Sequence, residues 1–116
     1  MEIFANLVGV TFRGPEAKEI VKDLTPESGC LLSLEPEPDN EFDQCAVKVI
    51  YDPRSVHIGY LARENNYEVF KALEREEELK IEIVGFENTL KPTLLITNPP
   101  FGEYQSDEGE LNELDD

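Results

Sequence analysis

The densest chemistry in the chain is the run Glu37-Pro38-Asp39-Asn40-Glu41-Phe42-Asp43. Its carboxylates and its carboxamide can offer oxygen to a hard cation, or accept from hydroxyls and backbone N–H groups. The spacing is not that of an EF-hand loop, and the glycine that permits that loop's sharp turn is missing. The plainer reading is a polar turn whose side chains cap its own backbone. The other reactive groups are few. His57 is the only histidine and lies between apolar neighbours, where a strand histidine on the polar side of an alternation is ordinarily an exposed residue. Cys30 and Cys45 form no CxxC pair and have no histidine nearby, so they read as buried free thiols. There is no GxSxG, no HExxH and no P-loop. Carboxylate pairs are plentiful, but 26 acids in 116 residues place acids side by side by chance. The expectation is a protein that is not an enzyme and holds no cofactor and no metal.

Charge points the same way. With 10 bases against those acids the formal net charge is −16, whereas proteins that grip duplexes through their phosphates are usually basic. The same field disfavours anionic membrane surfaces, and no apolar run approaches the length of a span, so no membrane partner is expected. No basic, apolar leader opens the chain, which makes the cytoplasm the expected location. Residues 100–116 carry seven of the acids and no base, so an acidic, disordered tail is expected over 99–116. The folded domain is then 1–98, and it keeps an excess of nine acids.

The elements that must position these groups follow from periodicity. Val8, Val10 and Phe12 alternate with Gly9 and Thr11, which predicts a first strand. Pro15 then starts a helix whose apolar face is Ala17, Ile20, Val21 and Leu24. Cys30, Leu32 and Leu34 alternate in a second strand, Ala46 to Tyr51 forms a third, and Val56, Ile58 and Tyr60 a fourth. If strands two and three pair around Asn40, Glu35 lies near Cys45 and Cys30 well away, which argues against a disulfide. A longer helix is predicted over Arg63 to Glu78. Leu79, Ile81 and Ile83 mark a fifth strand, and Thr93 to Thr97 a sixth at the sheet edge after Pro92. The order β-α-β-β-β-α-β-β lacks the alternation of a parallel sheet. It predicts a mostly β fold with two helices, an OB-like curved antiparallel sheet or barrel.

Within that order the polar run gains a second meaning. Glu37-Pro38-Asp39-Asn40-Glu41-Phe42-Asp43, then Ala46-Val47-Lys48-Val49, then Gly59-Tyr60-Leu61 and Arg63 resemble the HIRAN domain family. Its pattern runs E-P-x-N-x-[YF]-D-x-x-A-[IV]-x-V, then a strand ending G-[YH]-[VIL], then a helix. Val8-Gly9-Val10-Thr11-Phe12 looks like the family's first strand, so the resemblance covers about residues 4–97. It implies a modified OB-like barrel. Members occur fused to remodelling and fork-repair ATPases, and alone in short bacterial and phage proteins. The fused type binds the free 3′ end of single-stranded DNA. Carried onto this sequence, Phe12 and Phe42 would stack bases, Asp43 would accept from the 3′-hydroxyl, Tyr60 would sit at the pocket, and Arg63 would face phosphate. The chain departs at Thr11, where DNA-binding members carry a base; Arg13 is nearby.

Each residue also has a structural reading: Phe12 and Phe42 as core or rim, Asp43 as a turn cap, Tyr60 inward in phase with Val56 and Ile58, Arg63 as an ordinary helix start. Two functions stand side by side. One is a non-catalytic module that recognises single-stranded DNA 3′ ends. The other is an acidic interaction domain or DNA mimic that binds a basic protein partner.

Overall fold

The structure, a computed structural model, describes residues 1–98. The expected acidic tail lies outside the described residues. Six antiparallel strands form one sheet, in the order β2-β3-β4-β1-β6-β5. They are β1 (Glu2–Val8), β2 (Leu32–Glu37), β3 (Ala46–Tyr51), β4 (Val56–Leu61), β5 (Lys80–Asn88) and β6 (Lys91–Thr97), with helices α1 (Pro15–Lys22) and α2 (Tyr67–Glu74). The OB-like expectation for the fold class stands. No helix in the described residues is long and apolar enough to cross a membrane.

β1 joins the two halves of the sheet. Its first residues, Glu2 to Asn6, pair with β6, and its last two, Leu7 and Val8, pair with Leu61 and Tyr60 of β4. Ala5 and Leu7 point inward with Val47, Val49, Ile58, Leu94 and Ile96, and Ile20, Val21, Val69 and Phe70 of the two helices complete the core. The edge of β5 is covered by the 3-10 turn Pro26–Leu31, which leads directly into β2. There the backbone approach is close. A Cβ on Gly29 would lie 2.5 Å from the Ile81 carbonyl oxygen, so only glycine fits.

Several expectations shift. The strand predicted over Val8–Phe12 ends at Val8, because Gly9 takes a left-handed conformation (φ 78°) and Val10–Arg13 winds into a 3-10 turn. The strand proper lies earlier, over residues whose alternation of Ile3, Ala5 and Leu7 is equally regular. Cys30 belongs to the 3-10 turn ahead of β2 and is exposed rather than buried, while Cys45 is half-buried; both are free. Strands β2 and β3 pair in another register than predicted, so Glu35 faces Lys48 and not Cys45. The long second helix divides into a 3-10 turn at Arg63–Asn65 and the shorter α2, after which Glu76 adopts a left-handed φ of 60°. β6 is not an edge strand but lies between β1 and β5, and Pro92 is buried within it. The proline is tolerated at an irregular stretch, where the β5–β6 register shifts between Phe86 and Asn88.

Because Gly29 seals the open side of the sheet against a rigid backbone carbonyl, Gly29→Ala is expected to lower unfolding free energy by about 1–3 kcal/mol. Urea denaturation followed by circular dichroism measures it.

Candidate nucleic-acid interface

The polar run forms the loop between β2 and β3, and it is built around Asn40. The Asn40 Oδ1 accepts from the backbone N–H groups of Phe42 (2.8 Å) and Asp43 (3.0 Å), closing an Asx turn. Its Nδ2 donates to Glu37 Oε1 at 2.8 Å. Asp43 continues the scaffold. Its Oδ1 accepts the Cys45 N–H at 2.9 Å, and its Oδ2 accepts from Asn66 Nδ2 at 2.8 Å. Asn66 is the buried residue that leads into α2, so this bond ties the loop to the helix. The capping that the residue types suggest is thus present. It does not exhaust Asp43, since an ionised carboxylate has about four acceptor positions.

Asn40 and Asp43 hold the backbone of the turn, and the Phe42 ring it carries is 81% exposed. It borders a cleft of about 250 Å³ whose wall also includes Val8, Asp43, Tyr60 and Arg63. The Arg63 side chain is exposed and its Nε lies 3.9 Å from Asp43 Oδ2, a loose pairing that leaves most of its N–H donors facing solvent. Core packing therefore does not account for Phe42.

Tyr60 reaches the cleft because β4 is irregular. Gly59 pairs with Val49 but His57 with Ile50, so Ile58 is an extra residue in the ladder. Such a bulge reverses the facing of the residues beyond it. Ile58 stays in the core, and Tyr60 turns to the outer face, beside Val8 on one side and Lys48 on the other. The inward expectation for Tyr60 assumed unbroken alternation. On the outer face its hydroxyl donates to Glu37 Oε1 at 2.8 Å.

The bonds from Asn40 and Tyr60, foremost among several influences, hold the Glu37 carboxyl below its usual range. Desolvation and that same hydrogen bond push the Tyr60 hydroxyl up. Lys48, raised chiefly by its bond to Glu35 (2.9 Å), also lies 3.9 Å from Glu37.

Phe42, Asp43, Tyr60 and Arg63 thus share one cleft. Phe12 does not line it; its ring is 87% exposed on the 3-10 turn Val10–Arg13. The glycine that ends β1 removes Phe12 from the strand. Three further residues bear on the site: Asn40 and Asn66 as its scaffold, and His57, which is half-buried rather than simply exposed. A buried asparagine in a helix-start position is a weak sequence signal for Asn66, whereas Asn40 two and three residues before Phe42 and Asp43 is a legible Asx pattern. Among the described residues, no group of three or more His, Cys, Asp and Glu side chains is gathered as a metal site.

Comparison with solved structures gives the architecture a relative. The crystal structure of the HIRAN domain of human HLTF superimposes with a TM-score of 0.61, at 15% identity, over 82% of this chain and 72% of that one. The two share a fold. A Lactobacillus plantarum protein superimposes with a TM-score of 0.67 at 18% identity, over 81% of this chain and 88% of that one. No family model matches the sequence, and no curated protein matches it.

The Glu37 bonds generate a pH dependence. A carboxyl whose pKa is lower folded than unfolded contributes stability that is present above its ordinary value of 4.5 and lost as pH falls through the folded value. Glu37→Gln should therefore lose less stability than the wild type between pH 6 and pH 3.5. Thermal unfolding at a series of pH values compares the two, and parallel curves would remove Glu37 from the account.

Proposed function

We propose that this domain is a non-catalytic nucleic-acid-binding module that takes the 3′ end of a single strand, in DNA repair or processing. The observation that carries the reading is Phe42. A single exposed ring is ordinary on a protein surface, but here a turn with three side-chain-to-backbone bonds holds one at the rim of a cleft. A base stacked on such a ring gains roughly 1–3 kcal/mol whatever its sequence. Asp43 would accept from a terminal hydroxyl, while the same carboxylate would repel a terminal phosphate. Arg63 would hold the adjacent phosphate, and Tyr60 would line the pocket beside it. Phe12, apart from the cleft, would meet the strand further along. The fold shared with the HLTF HIRAN domain supports the reading at the level of architecture. A cytoplasmic setting accords with it.

A second reading rests on charge. Residues 1–98 keep nine more acids than bases, and Lys48, Arg54, Lys71, Arg75, Lys80 and Lys91 are each paired with a carboxylate. A surface of that sign suits a basic protein partner, to which the domain would present itself as a DNA mimic.

Fluorescence anisotropy of the full chain with labelled single strands separates the readings. The end-binding module predicts tighter binding to a 3′-hydroxyl than to a 3′-phosphate. It also predicts that Phe42→Ala weakens the hydroxyl complex by about 5- to 150-fold, the equivalent of the stacking energy. Equal, ring-independent affinity for both ends would contradict it, and no binding at all would leave the basic protein partner as the reading to pursue.

A further inference from the structure

The two exposed rings, Phe12 and Phe42, sit on separate elements, and a continuous chain of contacts runs between those elements through His57. On one side the Arg13 Nη1 lies 3.2 Å from His57 Nδ1. On the other, the His57 ring meets Tyr60 edge-on, with centroids 4.8 Å apart. Tyr60 then donates to Glu37, Glu37 accepts from Asn40, and Asn40 holds the backbone of Phe42 and Asp43. The tautomer follows from the donors. A guanidinium only donates, so Nδ1 must be the acceptor; Nε2 then carries the proton and donates to the Gly59 carbonyl at 2.9 Å. The Arg13 bond therefore requires a neutral ring, whereas the Gly59 bond survives protonation.

We propose that His57 is a positioning residue that fixes the Phe12–Arg13 turn relative to the cleft while it is neutral and releases that turn when it is protonated. The inference rests on the nucleic-acid reading only for its consequence in binding. A second proton on the ring would convert Nδ1 from acceptor to donor and set a cation against Arg13. Arg13 has no carboxylate partner among the described residues to hold it in place, so the Arg13 end of the turn would lose its tie while Val10 stays anchored in the core. The charged groups around the ring are Arg13 on the 3-10 turn, Glu37 on β2 and Lys48 on β3, with Tyr60 on its own strand. Desolvation first, then Arg13, lower its pKa below the ordinary 6.5, with the Gly59 bond and Glu37 acting the other way. The sign is that of a group depressed on folding. The contribution is intact above pH 6.5 and is lost as pH falls through the folded value.

The chain has one histidine, so its ring signals are unambiguous in NMR spectra of the full protein. The expected result is the Nε2–H tautomer at pH 7.5, a midpoint below 6.5, and Phe12 and Arg13 resonances that shift with that same midpoint. The Nδ1–H tautomer, or resonances of the turn that ignore the titration, would overturn the proposal. The second arm compares single-strand affinity of the wild type with His57→Gln, whose neutral amide can accept from Arg13 and cannot be protonated. Loss of carboxylate charge on acidification strengthens binding of a polyanion to both proteins. Against that common trend, the ratio of wild-type to His57→Gln affinity should fall as pH drops through the ring's own NMR midpoint, and a constant ratio would count against the proposal. If the ring titration reaches the turn but no oligonucleotide binds at any pH, the nucleic-acid reading falls and the positioning role stands. If oligonucleotide binds while the turn does not respond, the positioning role falls alone.

Discussion

The Asp43 carboxylate is the joint on which the site depends. One oxygen closes the β2–β3 loop on the Cys45 N–H, and the other reaches Asn66 at the start of α2. A loop of seven mostly polar residues has little apolar surface with which to hold itself down, so hydrogen bonds must do so. Asn40 supplies the inner ones and Asp43 the outer ones. Together they hold the turn from which Phe42 projects.

The outer face of the sheet completes the cleft by a different device. The extra residue Ile58 keeps its own side chain in the core and sends Tyr60 outward to Glu37. The same bulge brings His57 and Tyr60 onto one face although they are three residues apart. A regular strand would put them on opposite faces. The local irregularity therefore brings Tyr60 to the cleft and onto the face of His57, which joins the turn carrying Phe12.

Much of this was legible from residues alone. The β3 and β4 strands, the apolar stripe of α1 and the polar loop all follow from spacing, because each is a short element with clear punctuation by proline, asparagine or aspartate. What misled was alternation taken as sufficient. Val8, Val10 and Phe12 alternate perfectly, yet Gly9 turns the chain between them, and the preceding Ile3, Ala5 and Leu7 carry the strand. Val56, Ile58 and Tyr60 also alternate, and the only sign of the bulge between them is Gly59 within the run. Pro92 suggested an edge, whereas a register shift admits it beside the centre of the sheet. For the site, the residue types of Phe42, Asp43 and Arg63 suggested a role. The hidden parts were the long-range partners, since nothing local pairs Asn66 with Asp43 or Arg13 with His57.

Reception of a strand end by the cleft between the β2–β3 loop and the start of α2 is directly testable. Amide chemical-shift mapping of the full chain, titrated with a short single-stranded oligonucleotide ending in a 3′-hydroxyl, addresses it residue by residue. Saturable shifts centred on Phe42, Asp43, Tyr60, Arg63 and Asn66 are expected, with Arg75 at the far end of α2 and the outer strand β5 unmoved. Saturable shifts centred on another face, or none at oligonucleotide concentrations in the millimolar range, would contradict it.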